Sequence, residues 1–271
     1  MATDTSPIPA KRIILWTYAR TRSTVFELSV SSVPTIKVFH EPYLTGLWMG
    51  EEKEHETSMP SVKGHSKEDV KPLLEADYSG YEAIFVKDYA YALRGKTNYR
   101  FIPRGFVHTF LIRNPQAVIP SYYKCIKIDK ETGLVLHDDV IKSTMTLGGD
   151  PKPLYELYQY VKEDLGQQAI VLDSDDLIES PRDMMKKYCK ESGLPFAESM
   201  LNWKPGNISH WPECYQGPEW SHYLQRAIDS SSFVVNKHKV EQDNIQDLPE
   251  KLIQFIEKSK VVYEEMAKYK L

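Results

Sequence analysis

Ile13-Ile14-Leu15-Trp16-Thr17-Tyr18-Ala19-Arg20-Thr21-Arg22-Ser23-Thr24-Val25-Phe26 is the stretch that decides the fold of this 271-residue chain. Its apolar run has a β-branched start and reads as a buried strand. The run stops at Arg20 and Arg22, interleaved with Thr21, Ser23 and Thr24. Apolar spacing then resumes at Val25, Phe26 and Leu28, which predicts a helix leaving the same turn. Strand, tight turn and helix start bring free backbone N–H groups and the positive helix end to one point. With two arginines and three hydroxyls added, this is a candidate site for a phosphate-like anion. The alternative reading is a surface turn whose arginines face solvent.

A second segment has the same form. Val107-His108-Thr109-Phe110-Leu111-Ile112 is another buried-strand run, followed by Arg113-Asn114-Pro115. Asn114 suits an N-cap and Pro115 the first helical position, so a helix starts directly after the strand. Arg113 therefore belongs at the carboxyl edge of a strand, where open α/β sheets bind ligands. Ser121 lies two turns into that helix, placed with Arg113 to hold a second phosphate. Taken singly, Arg113 reads equally as an ion-pair partner and Ser121 as an ordinary helix serine.

Together the two segments resemble the sulfotransferase family that uses 3′-phosphoadenylyl sulfate (PAPS). Tyr18 to Thr24 is similar to that family's 5′-phosphosulfate loop. Phe110 to Pro115 with Ser121 is similar to its 3′-phosphate motif, including the interval between the arginine and the serine. Ala169 to Leu177, Ser180-Pro181 and Met200 to Trp203 resemble the carboxyl half of a soluble sulfotransferase-like subfamily, some of whose members carry aminotransferase names. The resemblance thins after Phe233. It implies a P-loop-like sulfotransferase fold, an α/β three-layer architecture with a largely parallel sheet and helices on both faces. It also implies a transferase that takes PAPS as co-substrate and releases adenosine 3′,5′-bisphosphate (PAP), with no metal.

Bulk properties fit one soluble domain over residues 1–271, with residues 1–11 a flexible amino terminus. The chain is 41% hydrophobic and 27% charged, ordinary globular values that allow a substantial core. A net charge of −4 argues against a nucleic-acid partner. Cys125, Cys189 and Cys214 have no metal-like spacing and suit a reducing compartment. Many family members carry an amino-terminal membrane anchor. Residues 1–11 show no such signal and the Ile13 run is too short to span a bilayer, so a cytoplasmic location without a membrane partner is expected. Oligomeric state is left open, a homodimer included.

Strands and helices alternate along the chain, which predicts the parallel sheet independently. Further strands are expected at Thr35 to Phe39, Ala83 to Val86 and Ile170 onward. Glu51 to Lys71 reads as an exposed excursion and Leu154 to Leu165 as a helix. A helix starting at Ser180-Pro181, with Asp183 in the capping-box place, should end at Gly193 with Met184, Met185, Tyr188 and Cys189 inward. A last helix, Leu248 to Lys268, should pack outside the sheet. Lys204 to Trp220 is rich in proline, glycine and aromatics, so it is either a loop pinned to the core or a cap over the acceptor or the adenine ring. The glycine- and lysine-containing motif that helps grip the 3′-phosphate in cytosolic relatives is missing there.

By the resemblance, Arg20, Thr21, Arg22, Ser23 and Thr24 hold the 5′-phosphosulfate, with Arg20 stabilising charge on the leaving group; Arg113 and Ser121 hold the 3′-phosphate. The forked donors and fixed charge of arginine suit both tasks. Arg22 stands where many relatives have glycine, which questions the tightness of the turn. Cytosolic relatives place their catalytic base in a Lys-Thr-His sequence. Here that stretch reads Lys87-Asp88-Tyr89. Other branches use a glutamate after the second strand, where Glu41 stands. Glu41 is thus the first candidate for the base, with Asp88 and His40 behind it. Adjacent residues of an extended segment point opposite ways, so one of His40 and Glu41 should face the cleft. His108 reads as a core histidine.

The leading reading is a PAPS-dependent sulfotransferase acting on a hydroxyl or amine of a small molecule. A P-loop kinase-like phosphotransferase is the second, although the Gly-x-x-x-x-Gly-Lys-Ser/Thr sequence that ATP chemistry uses is missing. A non-catalytic nucleotide-binding protein of the same descent is the third. Tyr43, Trp48 and Trp211 hint at a ring-bearing or apolar acceptor.

Overall fold

The computed structural model describes residues 10–51, 53–54, 57–59, 61–135, 139–233 and 245–271. Five strands, β1 (Lys11–Thr17), β2 (Ile36–His40), β3 (Ala83–Tyr89), β4 (Val107–Ile112) and β5 (Ile170–Asp173), form one sheet in the order β2-β3-β1-β4-β5. Every pairing is parallel. The helices are α1 (Ser23–Ser31), α2 (Pro42–Met49), α3 (Lys67–Glu75), α4 (Pro115–Thr132), α5 (Val140–Thr146), α6 (Lys152–Glu163), α7 (Ser174–Glu179), α8 (Pro181–Ser192), α9 (Ser221–Ile228) and α10 (Glu250–Ala267).

Alternation along β1 builds the three layers. Ile14 and Trp16 point to one face, where they meet Val86, Phe110, Tyr122 of α4 and Leu157 of α6. Ile13 and Leu15 point to the other, against Phe26 of α1, Phe85, Leu172 and Tyr188 of α8. A sheet covered on both faces needs strands apolar on both sides, which is why β1, β3 and β4 read as unbroken apolar runs. The strand order reverses between β1 and β4, and the crevice outside their carboxyl ends is where such sheets take ligands. Both arginine-bearing segments leave the sheet at that point.

Local signals hold well in α4. Asn114 accepts from the Gln116 N–H at 2.9 Å, Pro115 is the first helical residue, and Gly133 closes the helix in the left-handed region at φ 72°. Other expectations need correction. The sheet begins at Lys11, inside the stretch read as a flexible terminus; residues 1–9 of that stretch lie outside the described residues. The excursion from Glu51 ends in α3, which Ser66 and Asp69 start with a reciprocal capping box and which buries Val70 and Leu74. Its charge density and Pro72 hide that helix in the sequence. Ser180 makes no side-chain cap on α8, because its backbone closes the preceding α7 by donating to the Asp176 carbonyl. Gly193 ends α8 as expected, at φ 76°.

His108 shows how the core binds a polar pair. Trp16 Nε1 donates to His108 Nδ1 at 2.9 Å and the rings stack with planes 4° apart. Burial lowers the His108 pKa to about 4 from an ordinary 6.5. The unfolded chain therefore takes up a proton as pH falls below about 6.5, while the folded chain does not until about 4. Stability is present above that window and falls through it, by about 3 kcal/mol from this group. Urea midpoints measured at pH 7 and pH 4.5 should show the loss. His108→Asn, which keeps an acceptor for Trp16, should flatten the slope; an unchanged slope would assign the acid loss to other groups.

Candidate active site

The loop after β1 is tight, and it is tight without glycine. Arg20 and Arg22 adopt left-handed backbone at φ 61° and 66°, and Glu41 does so at φ 48°; they are the non-glycine positive-φ residues among those described. Such conformations cost about 1–3 kcal/mol each and persist where surrounding structure enforces them. Here the enforcement is visible. Thr21 Oγ1 donates to the Tyr18 carbonyl at 3.0 Å and its hydroxyl also pairs with Thr17. The Tyr18 hydroxyl donates to the Arg113 carbonyl just past β4, and the Ala19 N–H donates to the Gly148 carbonyl at 2.7 Å. A side chain at Gly149 would strike Tyr122 and the Thr144 carbonyl within 2.7 Å, so that support needs glycine.

This loop and the start of α4 converge. Arg20 Nε donates to Ser121 Oγ at 2.9 Å, and an Arg20 terminal nitrogen donates to the Tyr223 carbonyl at 2.9 Å. Arg113 donates to the Arg20 carbonyl at 2.7 Å. Arg22 pairs with Asp175 at 2.6 Å, and Arg113 Nε lies 3.7 Å from the same carboxylate. Burial, then the charge of Arg22, lowers the Arg113 pKa to about 10, against the pull of Asp175. Arg113 Nε is buried without a hydrogen-bond partner. Ser23 and Thr24 open α1, whose amino end has Arg22 as N-cap and no side-chain cap. Three guanidinium groups, one shared carboxylate and an uncapped helix start make a place that favours an anion.

The carboxyl ends of β2 and β3 hold a second cluster. Glu41 lies at the start of α2 and its carboxylate pairs with Lys87, which is fully buried near the end of β3. Lys87 Nζ is also 3.5 Å from Glu27 Oε2 on α1. Burial pushes the Lys87 pKa down, but Glu41 and Glu27 outweigh it and hold the ammonium above its usual value. Glu27 is buried too, yet His40 and Lys87 keep it well below the usual carboxylate range. It contacts His40 Nδ1, His210 Nε2 and Trp211 Nε1, each at 2.7 Å. Sequence reasoning misses Lys87 and Glu27 as site residues, though a lysine ending an apolar strand and a glutamate between Phe26 and Leu28 are visible signals.

The three candidates for the base are therefore placed differently. Glu41 lines a cleft that opens beside Ala19. His40 sits behind it with a fully buried side chain, its Nε2 3.8 Å from Glu41 Oε2. The left-handed turn at Glu41 ends the alternation expected of an extended pair, so both side chains join one cluster. Asp88 accepts the N–H groups of Tyr43, Leu44 and Tyr89, at 2.6, 3.1 and 2.8 Å, and so caps α2. Burial raises its pKa to about 8, against the lowering by those N–H groups.

The cleft wall is aromatic and acidic. Trp48, Tyr89, Tyr122, Tyr215, Trp220 and Tyr223 line it with Glu41 and Asp129. Asp129 receives His222 Nε2 at 2.9 Å and the Tyr223 hydroxyl at 2.5 Å. Of the aromatics singled out from sequence, Trp48 reaches the cleft. Tyr43 instead donates to the Phe101 carbonyl, and Trp211 to Glu27. Within Lys204 to Trp220, Trp211 pins the segment to the core while Tyr215 and Trp220 line the cleft. Among the described residues no group of His, Cys, Asp or Glu is arranged to hold a metal, and no helix is long and apolar enough to cross a membrane.

Comparison with known proteins adds relatives to this geometry. The profile of the sulfotransferase-domain family matches residues 11–261. The chain is 25% identical over 232 residues to branched-chain-amino-acid aminotransferase-like protein 2 of Arabidopsis thaliana, covering 80% of this chain and 36% of that protein. It is 30% identical over 150 residues to sulfotransferase ppzF of Metarhizium majus, covering 50% of this chain and 44% of that protein. The chain thus spans less than half the length of these relatives. Among solved structures, the sulfotransferase domain from the Synechococcus PCC 7002 olefin synthase superposes with a TM-score of 0.50 at 13% identity, over 95% of this chain and 97% of that one. That likeness is one of fold.

Proposed function

The chain belongs to the sulfotransferase-domain family, and from that premise we propose that it transfers a sulfuryl group from PAPS to a hydroxyl or amine of a small-molecule acceptor. The observation that carries the donor assignment is the convergence of Arg20, Arg22 and Arg113 beside an uncapped helix start, with the buried Arg113 Nε lacking a hydrogen-bond partner. Arg113 and Ser121 would hold the 3′-phosphate. Arg20 and the Thr21–Thr24 backbone and hydroxyls would hold the 5′-phosphosulfate. Bound PAPS supplies an activated sulfuryl group; the rest of the chemistry belongs to the chain. Donors already fixed where charge grows on the leaving oxygen act most strongly in the transition state. Glu41, at the cleft wall, takes the acceptor proton. The aromatic wall keeps water from competing for the sulfuryl group. Three free thiols, two of them buried, suit a reducing cytoplasmic setting.

PAP should raise the melting temperature, and ATP with Mg²⁺ should do so much less. Ligand at a hundredfold excess over Kd adds about 2.7 kcal/mol. For a domain of this size that is about 5 °C or more. A larger shift with ATP would favour a phosphotransferase and overturn the proposal. A PAP shift with no sulfated product, in a metabolite extract incubated with labelled PAPS, would leave a nucleotide-binding protein.

A further inference from the structure

His40 and Glu27 form a buried acid–imidazole pair directly behind Glu41, and its protonation can be read from the contacts. The Glu27 carboxylate accepts only, so His40 Nδ1, 2.7 Å from Oε2, carries a hydrogen. Nε2 of a neutral imidazole is then a bare lone pair. It is buried without a hydrogen-bond partner, and the acid it faces, Glu41 Oε2, is 3.8 Å away. Two acceptors facing each other do not bond, which explains both the gap and the orphaned nitrogen. A proton placed between them would close it.

We propose that His40 is the proton reservoir for Glu41, with Glu27 as its counter-ion. This inference rests on the sulfotransferase reading. As the acceptor oxygen bonds to sulfur and the bond from sulfur to the bridging phosphate oxygen breaks, its electron pair stays on the departing PAP. The acceptor proton goes to Glu41, which passes it to His40 Nε2 and becomes a carboxylate again. The imidazolium keeps its Nδ1–H on Glu27. After the sulfated product leaves, the proton returns through Glu41 to water in the cleft. His40 acts through Glu41 and does not touch the substrate.

The surroundings suit one extra positive charge. His40 faces Glu27 from α1, Glu41 from the start of α2, and the Trp211 and Tyr215 rings, centred 4.2 and 4.7 Å away. Lys87 and Asp88 from β3 and His210 complete the cluster, Lys87 lying against both glutamates and His210 on Glu27. With both imidazoles neutral, and with burial raising the Asp88 pKa to about 8 so that its carboxyl keeps its proton at pH 7, Glu27 and Glu41 outnumber the Lys87 ammonium by one charge. One proton from the acceptor restores balance in this buried cluster.

Two measurements test this. In ¹⁵N-histidine NMR of the free protein at pH 7, assigned by loss of the signal in His40→Asn, His40 should carry its proton on Nδ1 and none on Nε2. A protonated Nε2 overturns the relay whatever the activity. The second is the His40→Asn variant itself, whose amide takes the place of Nδ1–H toward Glu27 and leaves nothing at Nε2. It should bind PAP as the wild type does and lose about 10²-fold or more in kcat. The pH profile of its kcat should differ from the wild type's, because the proton taken up by Glu41 then has no imidazole to receive it. Turnover within threefold of wild type would make His40 structural and overturn the relay. If His40→Asn fails to fold, the same tautomer measurement, assigned instead by elimination among the other seven histidines, still decides. A wild type with no PAP-induced stabilisation would remove the sulfotransferase reading and the relay with it. Normal PAP binding with Nε2 protonated removes the relay alone.

Discussion

Glu41→Gln is expected to lower turnover by about 10²–10⁴-fold while leaving PAP binding intact. The change keeps size and shape but removes the atom that accepts the proton, a loss equivalent to about 3–5 kcal/mol in the barrier. Two features make the variant interpretable. Glutamine adopts the left-handed backbone at position 41 no less readily than glutamate, so the start of α2 should persist. Lys87 loses one carboxylate but keeps Glu27 at 3.5 Å. Some stability should still go, since breaking a buried ion pair is costly, so PAP affinity rather than melting temperature is the control. Asp88→Asn is the contrasting variant. Asp88 holds three backbone N–H groups, so its replacement should destabilise α2 and change kcat less than Glu41→Gln does. Turnover near wild type in Glu41→Gln, with the loss in Asp88→Asn instead, would move the base to Asp88.

Residues whose role depends on nearby chain are legible in the sequence. Asn114 and Pro115 announce α4, and Arg20 and Arg113 announce the carboxyl edge of two strands, because capping, turn and strand signals all lie within a few positions. The parallel sheet follows from strand–helix alternation. What stays hidden depends on pairs far apart along the chain. A buried lysine is sustainable at position 87 because Glu41 and Glu27 reach it from two other elements, and no local pattern states that. Arg20 on Ser121 joins residues that the motifs assign separately to the two ends of the nucleotide. The left-handed backbone at Arg20, Arg22 and Glu41 runs against residue preference, so the residue types show it only as a doubt about Arg22. Ser180 has the residue type of a cap, but its backbone is already committed to closing α7.

Arg113→Ala should weaken PAP by about 10- to 150-fold, the consequence of losing a charge-assisted contact of about 1.5–3 kcal/mol. Adenosine 5′-phosphate, which lacks the 3′ group, should be far less affected. Ser121→Ala should act in the same direction more weakly, since Ser121 is neutral and also holds Arg20 at 2.9 Å. Arg20→Ala should weaken both nucleotides and turnover together, because its guanidinium would serve the 5′-phosphate that both share and that bears the sulfuryl group in PAPS. The structure adds a variant of opposite sign. Asp175 pairs with Arg22 at 2.6 Å and lies 3.7 Å from Arg113 Nε, so an incoming phosphate must compete with it. Asp175→Asn removes that competitor's charge and should tighten PAP, with the gain larger at low salt where the arginines are least screened. Titration calorimetry of the four variants with both nucleotides separates the cases. Equal weakening of PAP and adenosine 5′-phosphate by Arg113→Ala would mean that Arg113 acts by holding the Arg20 carbonyl, and the 3′-phosphate assignment would fall.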